Sequence, residues 1–235
     1  MRNFLYSPLG YSASAPLDRL YLTIHAHMGQ LVVVTFLFFS GYGIAQQMKK
    51  REDYLRTFLK RRALPLYLNF LVALLLYVGA YVLLGNGDVE LLKTLKALVF
   101  LATYGNPTWF LFCTFSCYAA VYVMFSVFGT NKRKALSAGV VLCMLFYMCV
   151  MSRMRQSWWY DTALLFPVGV IASLYKQEIG GVVRKHWWCC LVAAVVAFCL
   201  LYVIRKDFMC IRYNLLGISF VSIITLVKIG RASCR

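Results

Sequence analysis

The sequence predicts an all-α protein, a polytopic transmembrane helix bundle with about seven spans. Of the 235 residues, 62% are hydrophobic and only 14% are charged, whereas a soluble domain carries roughly 25% charged residues. Several apolar stretches are long enough to cross a bilayer as helices, which takes about 20 residues. The cations are concentrated in short connectors between these stretches, a pattern typical of membrane proteins whose loops set their orientation.

The net charge of +17 would suit nucleic-acid binding, but its distribution argues against that function. Because the cations lie beside apolar segments, positive-inside topology and attraction to anionic lipid account for them. We therefore expect membrane lipid as a partner and no nucleic acid. The nine cysteines lie mostly in apolar segments, where cysteine acts as a small hydrophobe, and no Cys/His spacing indicates a metal site.

The first span gives the orientation of the chain. Residues 1–28 carry scattered polar residues and predict an extracytoplasmic loop with a short helix. Residues 30–48 contain no charge, and the segment 49–62 that follows contains seven cations. Since cations next to a span stay on the cytoplasmic side, this first span is expected to end inside the cell.

Two features near the end of this span predict contacts between helices. Gly41 and Gly43 would let another backbone approach closely, and Ser40 could hydrogen bond across helices. Apolar residues recur at helical spacing within 49–62, which favours a short helix lying at the membrane interface.

The rest of the chain divides in the same way. Pro65 suits the first turn of the second span, and residues 88–103 have the pattern of an amphipathic helix, inserted in the membrane or not. The short fifth span contains Pro167, which predicts a kink, and Asp161 is expected to cap its start. In order, the predicted spans cover about residues 30–48, 63–84, 107–128, 135–152, 161–175, 187–204 and 213–228.

Placing these spans in alternating directions across the membrane gives a topology, which we call the alternating map. The charges of the connectors test it. The connectors then placed inside hold thirteen Lys and Arg residues, and those placed outside hold seven. The bias has the sign expected from the positive-inside rule.

The sequence also leads to a prediction about each end of the chain. The last eight residues read KIGRASCR and interrupt the seventh span. We expect residues 229–235 to be a sequencing-adapter artefact, and a genuine basic cytoplasmic tail is the alternative. A first span that begins outside also favours an earlier span ahead of it, or a translocated N-terminus.

Three motifs resemble the acyltransferase 3 family of integral-membrane O-acyltransferases. The first is the run FFSGY, which contains Ser40, Gly41 and Tyr42 and precedes the basic segment. Its aromatic spacing is compressed relative to the family pattern FF-x-x-SG-[FY]. The second is TWFL, with Trp109, and the third is LFPVG, with Pro167. All three occur in the order that the family shows.

This resemblance implies transfer of an acetyl or other acyl group from acyl-CoA, with acetyl-CoA as the expected donor. The implied acceptor is a hydroxyl of a cell-envelope carbohydrate or a lipid-linked sugar. The resemblance also implies a multi-pass protein of the bacterial inner membrane that uses acyl-CoA as a substrate and holds no bound cofactor or metal.

The basic segment agrees with a phosphate-bearing donor, because arginine presents forked donors that match phosphate. The residues predicted to bind the phosphates of acyl-CoA are Arg56, Lys60, Arg61 and Arg62. Topology anchoring and contact with lipid headgroups are the alternative role for the same cations.

The resemblance leaves the catalytic residue unknown. The family's proposed general base is a histidine in a span that would precede the first span here, a role that suits histidine near neutral pH. His25 and His27 are the candidates present, but they match that motif in neither position nor context, and solvated interfacial histidines are the alternative interpretation. We therefore expect the chain to be inactive alone, and acetyl transfer by its 235 residues would contradict this.

Two other function classes stay open on the sequence. A secondary transporter or flippase subunit would show paired repeats and broken helices, and only the stretch 167–169 suggests a break. A non-catalytic interaction subunit is the third possibility. Transport of a substrate without consumption of acyl-CoA would support the transporter. The sequence does not determine the oligomeric state.

Overall fold

The structure, a computed structural model, is built from α-helices. It describes residues 16–51, 53–84, 90–105, 108–203 and 209–233, and these contain no strand. The predicted all-α class is confirmed. In chain order the α-helices are α1 (Pro16–Lys50), α2 (Tyr54–Phe58), α3 (Leu64–Leu83), α4 (Leu91–Leu98), α5 (Thr108–Phe128), α6 (Arg133–Met154), α7 (Leu165–Leu174), α8 (Lys176–Lys185), α9 (Trp187–Val203) and α10 (Met209–Ser233).

Helix α1 begins earlier than predicted. Residues 16–28 form its first turns rather than a loop, and the helix continues without a break to Lys50. A proline suits the first turn of a helix, and Gly29 in the interior costs only about 1 kcal/mol of helix propensity. Nothing in the sequence therefore stops this helix before the span. Residues 1–15 of the predicted loop lie outside the described part of the chain.

Four helical segments of the described chain are long and apolar enough to cross a membrane, and α8 with α9 would form a fifth span bent by 97°. These four segments are Leu31–Lys50, Tyr54–Leu83, Thr108–Phe128 and Arg133–Met154. The predicted fifth and seventh spans are also helical, but they are shorter than the 20 or so residues that a full crossing takes. Helix α7 has 10 residues, and the apolar part of α10 is Tyr213–Ile229.

The predicted interfacial helix within 49–62 is continuous with the next span. Helix α2 passes through a π-helical turn, Leu59–Ala63, directly into α3. Tyr54 and Phe58 of α2 are buried, and the Phe58 ring stacks on Tyr122 of α5 with centroids 6.0 Å apart. The apolar side of this segment therefore packs against protein.

The helix predicted within 88–103 is α4. Phe100, which follows it, packs on α3, where its ring lies 4.6 Å from that of Phe70. Ala97, Leu74 and Tyr104 complete the small apolar cluster beside the two helices.

Helices α1 and α7 cross at glycines and share the most extensive helix contact in the described chain. A Cβ atom on Gly41 would meet the carbonyl oxygen of Phe166, and one on Gly169 would meet that of Phe38. Backbone contacts backbone at both points, which a larger residue would prevent. The close approach predicted at Gly41 is confirmed. The prediction for Gly43 is wrong, because no other helix of the described chain comes within 4 Å of a Cβ placed there.

Polar contacts bring three connectors together at one end of the bundle. We call this end of the bundle the basic face. Lys49 Nζ donates to the Ser173 carbonyl at 3.1 Å, at the ends of α1 and α7. Arg133, at the start of α6, forms a 3.3 Å ion pair with Glu178 of α8. These connectors are the ones that the alternating map places on a single side.

The other end of the bundle, which we call the opposite face, carries the far end of α6. The 22 residues of α6 extend for about 33 Å. Just beyond them, Arg155 Nη2 donates to the carbonyl of Leu101 at 3.3 Å. The connectors that follow α4 and α6 therefore meet, as the alternating map predicts for two loops on the same side.

The start of α7 is capped from another helix. Asn214 Oδ1 of α10 accepts a hydrogen bond from the Leu164 N–H at 3.0 Å. Asp161 was the residue predicted for this role, and that prediction is wrong. Asp161 is buried, and its Oδ1 has no hydrogen-bond partner in the described chain.

Candidate functional site

A cavity of about 610 Å³ lies between α1, α5 and α10, with one residue of the π-helical turn at its edge. Its apolar lining consists of Leu31, Val32, Phe36, Phe39, Phe220 and Ile224. Its polar lining consists of Thr35, Ser40, Arg62 and Tyr118. The cavity therefore combines an apolar wall with a small set of polar groups, as sites for organic ligands do.

The polar groups of the cavity are held in two pairs. The Ser40 and Tyr118 hydroxyl oxygens lie 3.4 Å apart, linking α1 to α5, which confirms that Ser40 bonds across helices. Arg62 Nε donates to the Tyr54 hydroxyl at 3.1 Å. Thr35 is occupied within its own helix, since its hydroxyl donates to the Leu31 carbonyl at 2.8 Å.

Arg62 alone of the four cations predicted to bind acyl-CoA lines this cavity. Arg56 is exposed and lies 4.0 Å from the exposed Asp53. Lys60, Arg61 and Arg62 are all exposed on the π-helical turn, and of these only Arg62 lines the cavity. The four cations are adjacent in sequence, but the structure does not gather them into one site.

The three family-like motifs lie around the cavity. The Gly41 and Pro167 segments meet in the α1–α7 crossing. Tyr42 stacks on Phe38 within α1, with ring centroids 6.4 Å apart. Trp109 packs edge-on against Phe110 at 5.9 Å.

The Trp109 motif reaches the cavity through one further ring. Phe110 packs edge-on against Phe36, with centroids 5.1 Å apart, and Phe36 lines the cavity wall. Residues far apart in sequence therefore support the same wall.

The predicted histidines give no catalytic geometry. His25 and His27 lie in α1, and their side chains lie outside the described residues. His186 is exposed after α8 and does not line the cavity. Within the described ranges, no group of three His, Cys, Asp or Glu residues could hold a metal ion.

Sequence reasoning missed Tyr54, Tyr118 and the α10 wall. Tyrosines are frequent in this chain, and nothing in their local pattern separates a cavity hydroxyl from a packing ring. Phe220 and Ile224 are apolar residues in an apolar helix, so only the packing of α10 against α1 reveals their role.

The long apolar helical segments indicate an integral membrane protein, and the cavity with its cationic rim lies between α1, α5 and α10. The acyltransferase 3 family model, described as an acyltransferase domain, matches residues 4–227. The chain therefore belongs to the acyltransferase 3 family, as the three motifs predicted. No curated protein and no solved structure matches the chain.

The family match favours one of the function classes that the sequence left open. It covers most of the chain, including every cavity residue, and it supports a membrane acyltransferase rather than a transporter or an interaction subunit.

Proposed function

We propose that this acyltransferase moves an acetyl or other acyl group from acyl-CoA to a hydroxyl of a cell-envelope carbohydrate or lipid-linked sugar in the bacterial inner membrane. One observation carries the proposal. Ser40, from a family-like motif, and Arg62, from the basic segment, line the same cavity.

Arg62 is suited to hold a phosphate of the donor. A guanidinium has five N–H donors, and Arg62 uses one of them, on Nε, to bind the Tyr54 hydroxyl. That bond fixes the plane of the group. Within the described residues neither Nη atom has another hydrogen-bond partner, so both can bind a phosphate in the bidentate manner. Arg56, Lys60 and Arg61 then provide long-range attraction for an anionic donor rather than direct contacts.

The apolar wall is suited to the acyl and pantetheine arm. The cavity lining extends along α1 from Ser40 to Leu31, which is about 13 Å of helix. A thioester entering from the Arg62 end would pass the Ser40 and Tyr118 hydroxyls, either of which can donate to its carbonyl oxygen. The described lining residues therefore bind and orient the donor.

The reaction itself exchanges one bond for another. The acceptor oxygen attacks the thioester carbonyl, the new C–O bond forms, and the C–S bond breaks. The acceptor proton passes to a base, which returns it to the departing sulfur, so that CoA leaves as a thiol. The family resemblance implies that the base is a histidine in a span ahead of the first span here. His25 and His27 are the candidates present on this chain, although neither matches the family motif in position or context.

Acetyl-CoA binding to the chain in phosphatidylcholine nanodiscs tests the donor proposal. Loss of a charge-assisted hydrogen bond costs about 1.5–3 kcal/mol, so Arg62→Gln is expected to weaken binding by about tenfold or more. The matched control is Arg56→Gln, which removes an equal charge from outside the cavity and is expected to change binding less than twofold. Equal effects of the two variants would show that only net charge matters, and the Arg62 assignment would then be wrong.

A further inference from the structure

A second pocket lies on the opposite face, at the far end of α6 from the basic face. Its volume is about 550 Å³, and it is lined by Arg153, Met154, Arg155, Gln156 and Trp159. Unlike the first cavity, it is lined mainly by polar and charged side chains. We call it the arginine–tryptophan pocket.

Arg155 is fixed in place before any ligand binds. Its Nη2 donates to the Leu101 carbonyl at 3.3 Å, and its guanidinium lies 4.8 Å from the centre of the Trp159 ring. The cation–π contact orients the guanidinium plane. An arginine held in this way loses less conformational entropy when it binds an anion.

Trp159 is fixed in turn by its neighbours. Its carbonyl accepts a hydrogen bond from the Tyr147 hydroxyl at 2.8 Å. Its ring packs edge-on against Phe112 of α5 at 6.0 Å. The floor of the pocket is therefore continuous with the packed core of the bundle.

Among the described residues, no carboxylate forms an ion pair with the two arginines. The ion pairs of the described residues are Arg56–Asp53 and Arg133–Glu178, and neither involves this pocket. Asp161 is near in sequence but buried, and it forms no ion pair there. The pocket therefore presents two positive charges with no negative partner in the described chain.

These cations lie where the positive-inside rule predicts few. Another cation on this face, Lys93, is held by aromatic rings, 4.6 Å from the centre of Tyr81 and 4.5 Å from that of Tyr104. Arg155 is likewise held by an aromatic ring, that of Trp159. Within the described residues no ring lies over Arg153. Its place in the last turn of α6 suits the helix dipole, and this leaves its guanidinium available to an anion in the pocket beside Arg155.

We propose that the arginine–tryptophan pocket binds the anionic group, a carboxylate or a phosphate, of the acceptor carbohydrate. That this carbohydrate accepts the acyl group rests on the proposed function. Forked arginine donors match both anions. The Gln156 amide can donate to and accept from sugar hydroxyls. Donor and acceptor then bind at opposite ends of the bundle, and the apolar cavity along α1 lies between them.

The test measures trigalacturonate binding to the chain in phosphatidylcholine nanodiscs, with the fully methyl-esterified trisaccharide as the neutral comparison. Trigalacturonate is expected to bind at least tenfold more tightly than its ester. The double variant Arg153→Gln with Arg155→Gln is expected to remove that difference. The matched control Arg184→Gln changes an exposed arginine of α8 and is expected to keep it.

Acetyl-CoA binding is measured on the same variants, so that failure of the donor proposal is seen separately from failure of this one. It also reports folding, since the double variant is expected to bind acetyl-CoA as the unchanged chain does. Equal binding of the two trisaccharides, or full retention of the difference in the double variant, would overturn the inference. Nanodiscs that contain phosphatidylglycerol give the lipid comparison. Binding of that lipid through these arginines without binding of trigalacturonate would also overturn the inference, because the pocket would then hold a lipid headgroup.

Discussion

Helices α7 and α9 are similarly apolar, yet they occupy opposite environments. Seven residues of α7 are buried, from Leu165 to Leu174. Helix α9 has no buried residue, and Val192, Val196 and Leu200 along it are exposed. Apolarity therefore does not decide which of two helices reaches the interior of this bundle.

The difference lies in the glycines. Lipid tails are as apolar as leucine, so helices in a membrane associate through close packing rather than hydrophobicity. Gly169 of α7 lies against the backbone of α1. Gly41 of α1 lies against the backbone of α7 in the same way. Helix α9 has no glycine. It packs on α10 through side chains such as the Phe198 and Phe220 rings, whose centroids are 5.9 Å apart.

The largest expected effect is at Gly169. A Gly169→Leu substitution would place a side chain against the Phe38 carbonyl and the Tyr42 backbone nitrogen. Neither backbone atom can move without separating α1 from α7, so a loss of more than about 4 kcal/mol is expected. Thermal unfolding in neutral detergent measures it.

The control for Gly169→Leu is Ala193→Leu on α9, where the side chain is exposed. This variant is expected to unfold at the same temperature as the unchanged chain. A similar loss in both variants would mean that the two helices are equally packed, and the comparison would fail.

The next effect concerns packing volume rather than backbone contact. Phe166 is fully buried in α7, and its ring lies 6.3 Å from that of Tyr118. Phe166→Ala would leave a void in the core and is expected to cost about 3 kcal/mol. Phe198→Ala on α9 removes an equal volume from a less buried site and is expected to cost under half as much in the same unfolding assay. Equal costs would contradict the difference in burial.

The smallest effect separates two glycines of α1. Gly41→Ala adds a methyl group against the Phe166 carbonyl and is expected to cost about 2 kcal/mol. Gly43→Ala meets no atom within 4 Å and is expected to be neutral or stabilising by up to about 1 kcal/mol, because alanine favours helix. The thermal unfolding midpoints of the two variants, compared with that of the unchanged chain, show whether each substitution lowers or raises the stability. A Gly43→Ala variant less stable than Gly41→Ala would reverse the assignment of the contacting face.

The sequence predicted much of this fold from local pattern. Uncharged length located the spans, and the alternating map paired the connectors that meet through Arg133 and Arg155. Other features depend on which helices meet. Gly41 and Gly43 look equivalent along α1, and only the position of α7 distinguishes them. Asp161 has the right local place for a cap, but α10 brings the Asn214 amide there from 50 residues away.

The candidate site was less predictable than the fold. Four neighbouring cations suggested one phosphate site, yet only Arg62 turns toward the cavity. Charge and spacing locate a basic segment, but they do not say which member of it lies beside Ser40. That choice depends on Tyr54 and on the path of the chain between α2 and α3.

That path is set by the π-helical turn, Leu59–Ala63. A π-helical turn holds one residue more than an α-helical turn, and one residue changes the direction of everything after it by about 100°. Shortening the turn by one residue would move either Arg62 away from Tyr54 or Phe70 away from its place against α4. The number of residues in this turn therefore fixes the rotation of α3 about its axis. With this rotation the Arg62 side chain reaches Tyr54 while Phe70 packs beside α4.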